Sequence, residues 1–134
     1  MSKRLTIGLA GLAGLCALAA APHGFAAPAD APSSFRLGDP VQGKITYQAC
    51  MGCHSIDEND VGPKHRGVVG RRAGSVPDYN YSTALRNSGI AWTPAMIDRW
   101  LQGPQKLVPG AKMFFSIPDA KQRADIIAYL ASQK

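Results

Sequence analysis

Five consecutive residues, Cys50-Met51-Gly52-Cys53-His54, constrain this chain more than any other feature. Cys-x-x-Cys-His is the attachment signature of c-type haem. The spacing follows from the chemistry. Two thiols, here Cys50 and Cys53, add across the two vinyl groups of the porphyrin as thioethers, and the adjoining imidazole of His54 reaches the iron. Other uses of a cysteine pair fit worse. A zinc centre wants two further Cys or His ligands at matched spacing, and His65 is the one nearby candidate. A thioredoxin-like redox pair belongs in a strand–helix–strand setting, which the surrounding pattern lacks. A disulfide between Cys50 and Cys53 would close too small a loop to restrain an unfolded chain much. One covalent haem c with its iron is the expected cofactor.

The third cysteine, Cys16, falls in a segment with the form of a cleaved export signal. Lys3 and Arg4 give a positive start, Leu5 to Ala21 is apolar and small, and Gly24-Phe25-Ala26 supplies small-x-small before a cut. The expectation is a signal peptide over 1–26 and delivery to the periplasm. Residues 27–38 (APADAPSSFRLG), rich in Pro, Ala and Ser, are expected to form a flexible leader. Beyond the cut the chain carries 13 Lys and Arg against 9 Asp and Glu, a net +4. That charge suits an acidic partner and falls well short of a nucleic-acid signature.

The remainder, 39–134, reads as one all-α domain. Asp39 as N-cap and Pro40 at the first helical position open a helix with Val41 and Ile45 on one face. From 59 to 80, glycines and prolines dominate without a sustained period; so long a loop belongs in a compact domain only if it wraps something. Ser82 to Ser88 reads as a short helix stopped by Gly89. Thr93-Pro94 starts another, with Met96, Ile97, Trp100 and Leu101 at helical spacing, ending at Gly103-Pro104. After a second loop, Pro104 to Pro118, Asp119 caps the last helix, which buries Ile126, Ile127 and Leu130 beside Tyr129. Four or so short helices and long loops enclose little apolar volume. A large apolar body at the centre resolves the difficulty.

A haem iron needs a second axial ligand or keeps a vacant face. The candidates are Met51, Met96, Met113 and His65. Met51 lies inside the attachment run and cannot reach the other side. Met96 sits in a helix, where methionine usually fills core. Met113 sits in an irregular stretch, Pro109-Gly110-Ala111-Lys112-Met113-Phe114-Phe115, free to present its sulfur to a flat ring. Methionine paired with histidine raises the reduction potential.

With these residues in view the chain resembles the class I soluble cytochromes c, the mitochondrial-type protein and its bacterial periplasmic relatives. The resemblance covers 39–134. Besides CMGCH it runs through Val61-Gly62-Pro63, Gly70-Arg71-Arg72-Ala73-Gly74, Tyr79-Asn80-Tyr81-Ser82, Gly89-Ile90-Ala91-Trp92, Pro109-Gly110-x-Lys112-Met113 and Arg123 to Leu130. It implies a small class I cytochrome c fold around one haem. It also implies that the Pro63 carbonyl fixes the His54 tautomer, and that Arg71, Tyr81 and Trp92 stand near a buried haem propionate. Gly43 would let the first and last helices cross closely, with Tyr129 packed there. The chain departs from the pattern in several places. The first helix is one residue shorter between Tyr47 and Cys50. Trp100 replaces a tyrosine whose hydroxyl contacts the methionine sulfur; an indole is a donor only, which leaves that contact open. Ala111 replaces a hydroxyl residue, Leu85 an amide, and His65 an apolar haem neighbour.

The expected function is one-electron transfer by a monomer, not catalysis. Lys64, Arg66, Arg72, Lys106 and Lys112 are expected to rim the exposed haem edge. There they would meet acidic-surfaced redox proteins: a membrane oxidoreductase, a terminal oxidase or a periplasmic dehydrogenase. Two alternatives stay open. One is a peroxidase or gas-binding protein, if the methionine is labile; the other is a haem subunit held by one dehydrogenase.

Overall fold

In each described helix longer than one turn, an N-cap side chain satisfies an amide that the helix itself leaves free. The computed structural model describes residues 35–134; the expected signal peptide and the leader up to residue 34 lie outside them. Asp39 accepts from the Val41 amide at 2.8 Å and starts α1, Pro40–Thr46, which tightens into a 3-10 turn over Tyr47–Cys50. Ser82 caps α2, Thr83–Arg86, and Thr93 caps α3, Pro94–Gln102. Pro104 then restarts the chain as a single turn, α4, Pro104–Leu107. Asp119 accepts from the Gln122 amide at 2.7 Å and opens α5, Ala120–Ser132. The described residues contain no named strand and one isolated bridge, Arg72 with Ala91.

α1 and α5 form the frame by crossing at Gly43. A Cβ there would overlap the Asp125 carbonyl and stand 2.8 Å from the Tyr129 Cβ, so glycine is required for the approach. The Asp125 carboxylate accepts from the Asp39 amide at 2.8 Å and from Lys121 Nζ at 2.7 Å, clamping the start of α1 to α5. The clamp extends backwards. Gly38 N–H donates to the Ala124 carbonyl at 3.1 Å, and Phe35 packs against the core. Packing against the domain thus already includes Phe35 and Gly38, ahead of Asp39.

The inward face of α1 differs from the one read from the sequence. Val41 and Ile45 point to solvent, 67% and 56% exposed, while Gly43 and Tyr47 are buried. Close crossing at a glycine, rather than aliphatic packing, decides which side of this short helix faces inward.

α3 and α5 enclose the other side with Ile97, Trp100 and Leu101 against Ile126, Ile127 and Leu130. Buried Arg123 ties them. Its Nε donates to Asp98 at 2.7 Å and its Nη1 to the carbonyls of Ile117 and Pro118, so the buried guanidinium meets a carboxylate and two carbonyls. The glycine-rich loop before α2 is held by backbone bonds to the segment before α3: Gly70 N–H to Trp92 O, Trp92 N–H to Arg71 O, and Ala73 N–H to Ile90 O. Both loops wrap a central cavity.

Candidate functional site

Cys50 closes the 3-10 turn that continues α1, and the next residues curl so that the Cys53 and His54 amides both donate to the Cys50 carbonyl, at 3.1 and 2.9 Å. The run thus presents two thiols and a ring to a cavity of about 300 Å³. All seven candidate residues line it: Cys50, Cys53, His54, Arg71, Tyr81, Trp92 and Met113. Its remaining wall is chiefly aliphatic, including Val68, Leu85, Ile97 and Leu130. Of the other sulfur and imidazole candidates, Met51 and Met96 are not among the lining residues, whereas His65 is.

His54 is fixed through its far nitrogen. Its Nδ1 donates to the Pro63 carbonyl at 2.8 Å, which leaves the Nε2 lone pair for a metal. Gly62 allows this approach, since any Cβ there would overlap the ring. Burial lowers the His54 pKa, against the opposing effects of the Pro63 bond and of Asp60, and favours the neutral ring that a metal needs. Burial, then the neighbouring Cys53, push the Cys50 thiol up to about 11. Neither cysteine is in a disulfide.

His65 covers the ring of His54. The two imidazoles stack with centroids 4.1 Å apart and planes 19° from parallel. The hydroxyl of Tyr47 and His65 Nδ1 are hydrogen-bonded at 2.9 Å. Burial, then the charges of His54 and Arg71, push the His65 pKa down to about 3. A neutral ring here can accept from the Tyr47 hydroxyl, whose own pKa burial raises. Tyr47 also packs against Tyr129 at 5.2 Å between centroids, so the shorter first helix still delivers it to the crossing. Sequence reasoning marked His65 as a departure but had no means of pairing it with Tyr47, 18 residues away.

Met113 comes from the irregular loop after α4. Its sulfur accepts from the Trp100 indole N–H at 3.1 Å, so the contact left open by the tyrosine-to-tryptophan exchange is present, with a different donor. Trp92 meets Trp100 edge to face, centroids 5.2 Å apart. Arg71 donates to the carbonyls of Arg66 and Lys64 at 2.9 and 2.8 Å, and burial lowers its pKa. No carboxylate pairs with it among the described residues. A half-buried cation on an apolar cavity favours an anionic group beside it.

Of the five basic residues expected at the rim, Lys112 lines the cavity. Arg66 instead pairs with Asp57 across the surface. Phe114 and Phe115 line the cavity and are 78% and 50% exposed, an apolar contribution to the mouth that the basic residues did not signal.

These walls fit a haem. They offer aliphatic contact for a flat ring, a neutral imidazole with one free nitrogen, a soft thioether, and two thiols in Cys-x-x-Cys spacing. The comparisons with known proteins agree. The family model described as cytochrome c matches residues 41–134. A cytochrome c2 from Rhodomicrobium vannielii is 43% identical over 105 residues, covering 75% of this chain and 84% of that protein. One from Rhodopila globiformis is 50% identical over 101 residues, covering 72% and 95%. Among solved structures, cytochrome cH from Methylobacterium extorquens superposes with a TM-score of 0.69 at 44% identity, covering 71% of this chain and 99% of that one. Ferricytochrome c2 from Rhodopseudomonas palustris gives 0.68 at 34% identity, covering 72% and 99%. The chain belongs to the cytochrome c family: it carries electrons on covalently bound haem c and is not an enzyme.

Proposed function

We propose that this protein is a monomeric periplasmic one-electron carrier whose haem is bound through Cys50 and Cys53, with His54 and Met113 as axial ligands. The observation that carries the reading is that separate segments deliver two oriented donors to one cavity. The His54 ring is fixed by Pro63 and the Met113 sulfur by Trp100. The haem supplies a one-electron couple at iron. The chain contributes burial, orientation and the exclusion of water. His65, stacked on His54, shares its side of the cavity, which leaves Met113 as the partner ligand. Arg71, Tyr81 and Trp92 would stand about a propionate, where the half-buried guanidinium answers the carboxylate charge.

Location in the periplasm rests on the export signal expected over 1–26. The partners would be acidic-surfaced redox proteins: a membrane oxidoreductase, a terminal oxidase or a periplasmic dehydrogenase. Lys112 beside Phe114 and Phe115 gives the contact face a cation and apolar surface at the cavity mouth. The Trp100 bond to sulfur favours a carrier over a peroxidase or gas-binding protein, since it holds the ligand in place.

The test is the weak charge-transfer absorption of a methionine-bound ferric haem. It should be present in the native protein and lost in Met113→Ala. Its absence from the native protein, with rapid binding of added ligands, would contradict the assignment.

A further inference from the structure

We infer that Gln105 is a positioning residue that clamps the backbone around Met113 and so keeps the sixth coordination position closed to outside ligands. The inference rests on the His54 and Met113 reading above.

Residues 108–118 contain no helix or strand, so their amides and carbonyls lack regular partners. One side chain supplies three of them. Gln105 Nε2 donates to the carbonyls of Ala111, at 2.6 Å, and Met113, at 2.9 Å, while the Gly110 amide donates to its Oε1 at 3.3 Å. A carboxamide matches this set because it offers two N–H donors and an acceptor in one plane. Neither lysine, which has no acceptor, nor glutamate, which has no donor when ionised, can replace it.

The clamp has a firm base. Gln105 follows Pro104, one of the most deeply buried side chains, within the single turn α4. Gly110, at φ +85°, turns the loop back towards it, a conformation that favours glycine. Trp100 holds the sulfur and Gln105 holds the peptide that carries it. Lys112 Nζ adds an exposed bond to the Asn80 carbonyl. For Met113 to swing away from the cavity, the Ala111 and Met113 carbonyls must give up their Gln105 bonds. The frequency of that opening governs how easily an added base takes the ligand's place.

The experiment compares imidazole binding to the ferric holoprotein in wild type, Gln105→Ala and Gln105→Glu, followed by loss of the methionine charge-transfer absorption. Glu keeps the side-chain length and the acceptor for Gly110 but loses both donors, and it guards against a folding defect of the alanine variant. Each variant should retain the absorption without imidazole and bind imidazole about tenfold or more tightly than wild type, the size expected from losing two hydrogen bonds. Affinities within about twofold of wild type in both variants overturn the clamp, whatever their melting temperatures. Absence of the absorption in wild type overturns the ligand assignment itself, and the clamp with it.

Discussion

Trp100 donates its indole N–H to the sulfur of Met113 at 3.1 Å, across 13 residues of chain. A thioether is a weak donor and so favours ferrous iron; with Met113 ligating as proposed, an N–H at its sulfur weakens the donation further. Trp100→Phe removes the donor while keeping an aromatic ring. The reduction potential should fall, on the order of 20 mV for a fraction of a hydrogen-bond energy in a one-electron couple. Redox titration reads the shift; an unchanged or raised potential would contradict the role given to the indole.

The Tyr47–His65 bond lies in the interior, where leaving one partner alone costs more than removing both. Tyr47→Phe should destabilise the holoprotein by about 1–2 kcal/mol, because His65 Nδ1 is stranded beside the His54 ring. Adding His65→Leu should recover part of that loss. Denaturant unfolding of both single variants and the double variant measures the coupling. Simple additivity would mean the bond contributes nothing.

Gly43→Ala places a methyl group against the Asp125 carbonyl at the helix crossing. Overpacking against backbone should cost about 3 kcal/mol, seen as a lowered melting temperature with the haem spectrum retained below it. Val41→Ala, two residues away and exposed, should stay within about 0.5 kcal/mol of wild type. Equal losses for the two would contradict the crossing as the constraint.

Lys121, and then the Asp39 amide, hold the Asp125 carboxyl below its ordinary value of 3.8. As pH falls, the unfolded chain takes up this proton before the folded one does. The stabilisation is therefore present above about pH 4 and is lost as the pH drops below it. Asp125→Asn should be less stable than wild type at neutral pH and converge with it in acid. Melting temperatures measured between neutral pH and pH 3 read the effect; parallel curves would show that the pair does not set acid stability.

Features of this chain were legible in the sequence to the extent that they are local. Asp39, Ser82, Thr93 and Asp119 cap helices where their positions beside Pro40, Thr83, Pro94 and Ala120 indicate, because a cap involves only the next three residues. Cys50, Cys53 and His54, close together in sequence, come to one cavity for the same local reason. α4 was missed because Pro104 was read as the end of α3, although the same proline begins a new turn. The outward face of Val41 and Ile45 could not be foreseen, since a contact 82 residues away, Gly43 against Asp125, decides it. Gln105 gave no signal either. A single amide after a proline carries no pattern until the loop folds back onto it.

The central claim is that one haem is joined to this chain through Cys50 and Cys53. Its most direct measurement is the intact mass of the exported, matured protein under denaturing conditions, which strip any cofactor not covalently held. The account predicts the processed polypeptide plus one haem, and no haem retained in a Cys50→Ser, Cys53→Ser double variant. A colourless product at the mass of the bare polypeptide, made beside a working maturation system, would contradict it.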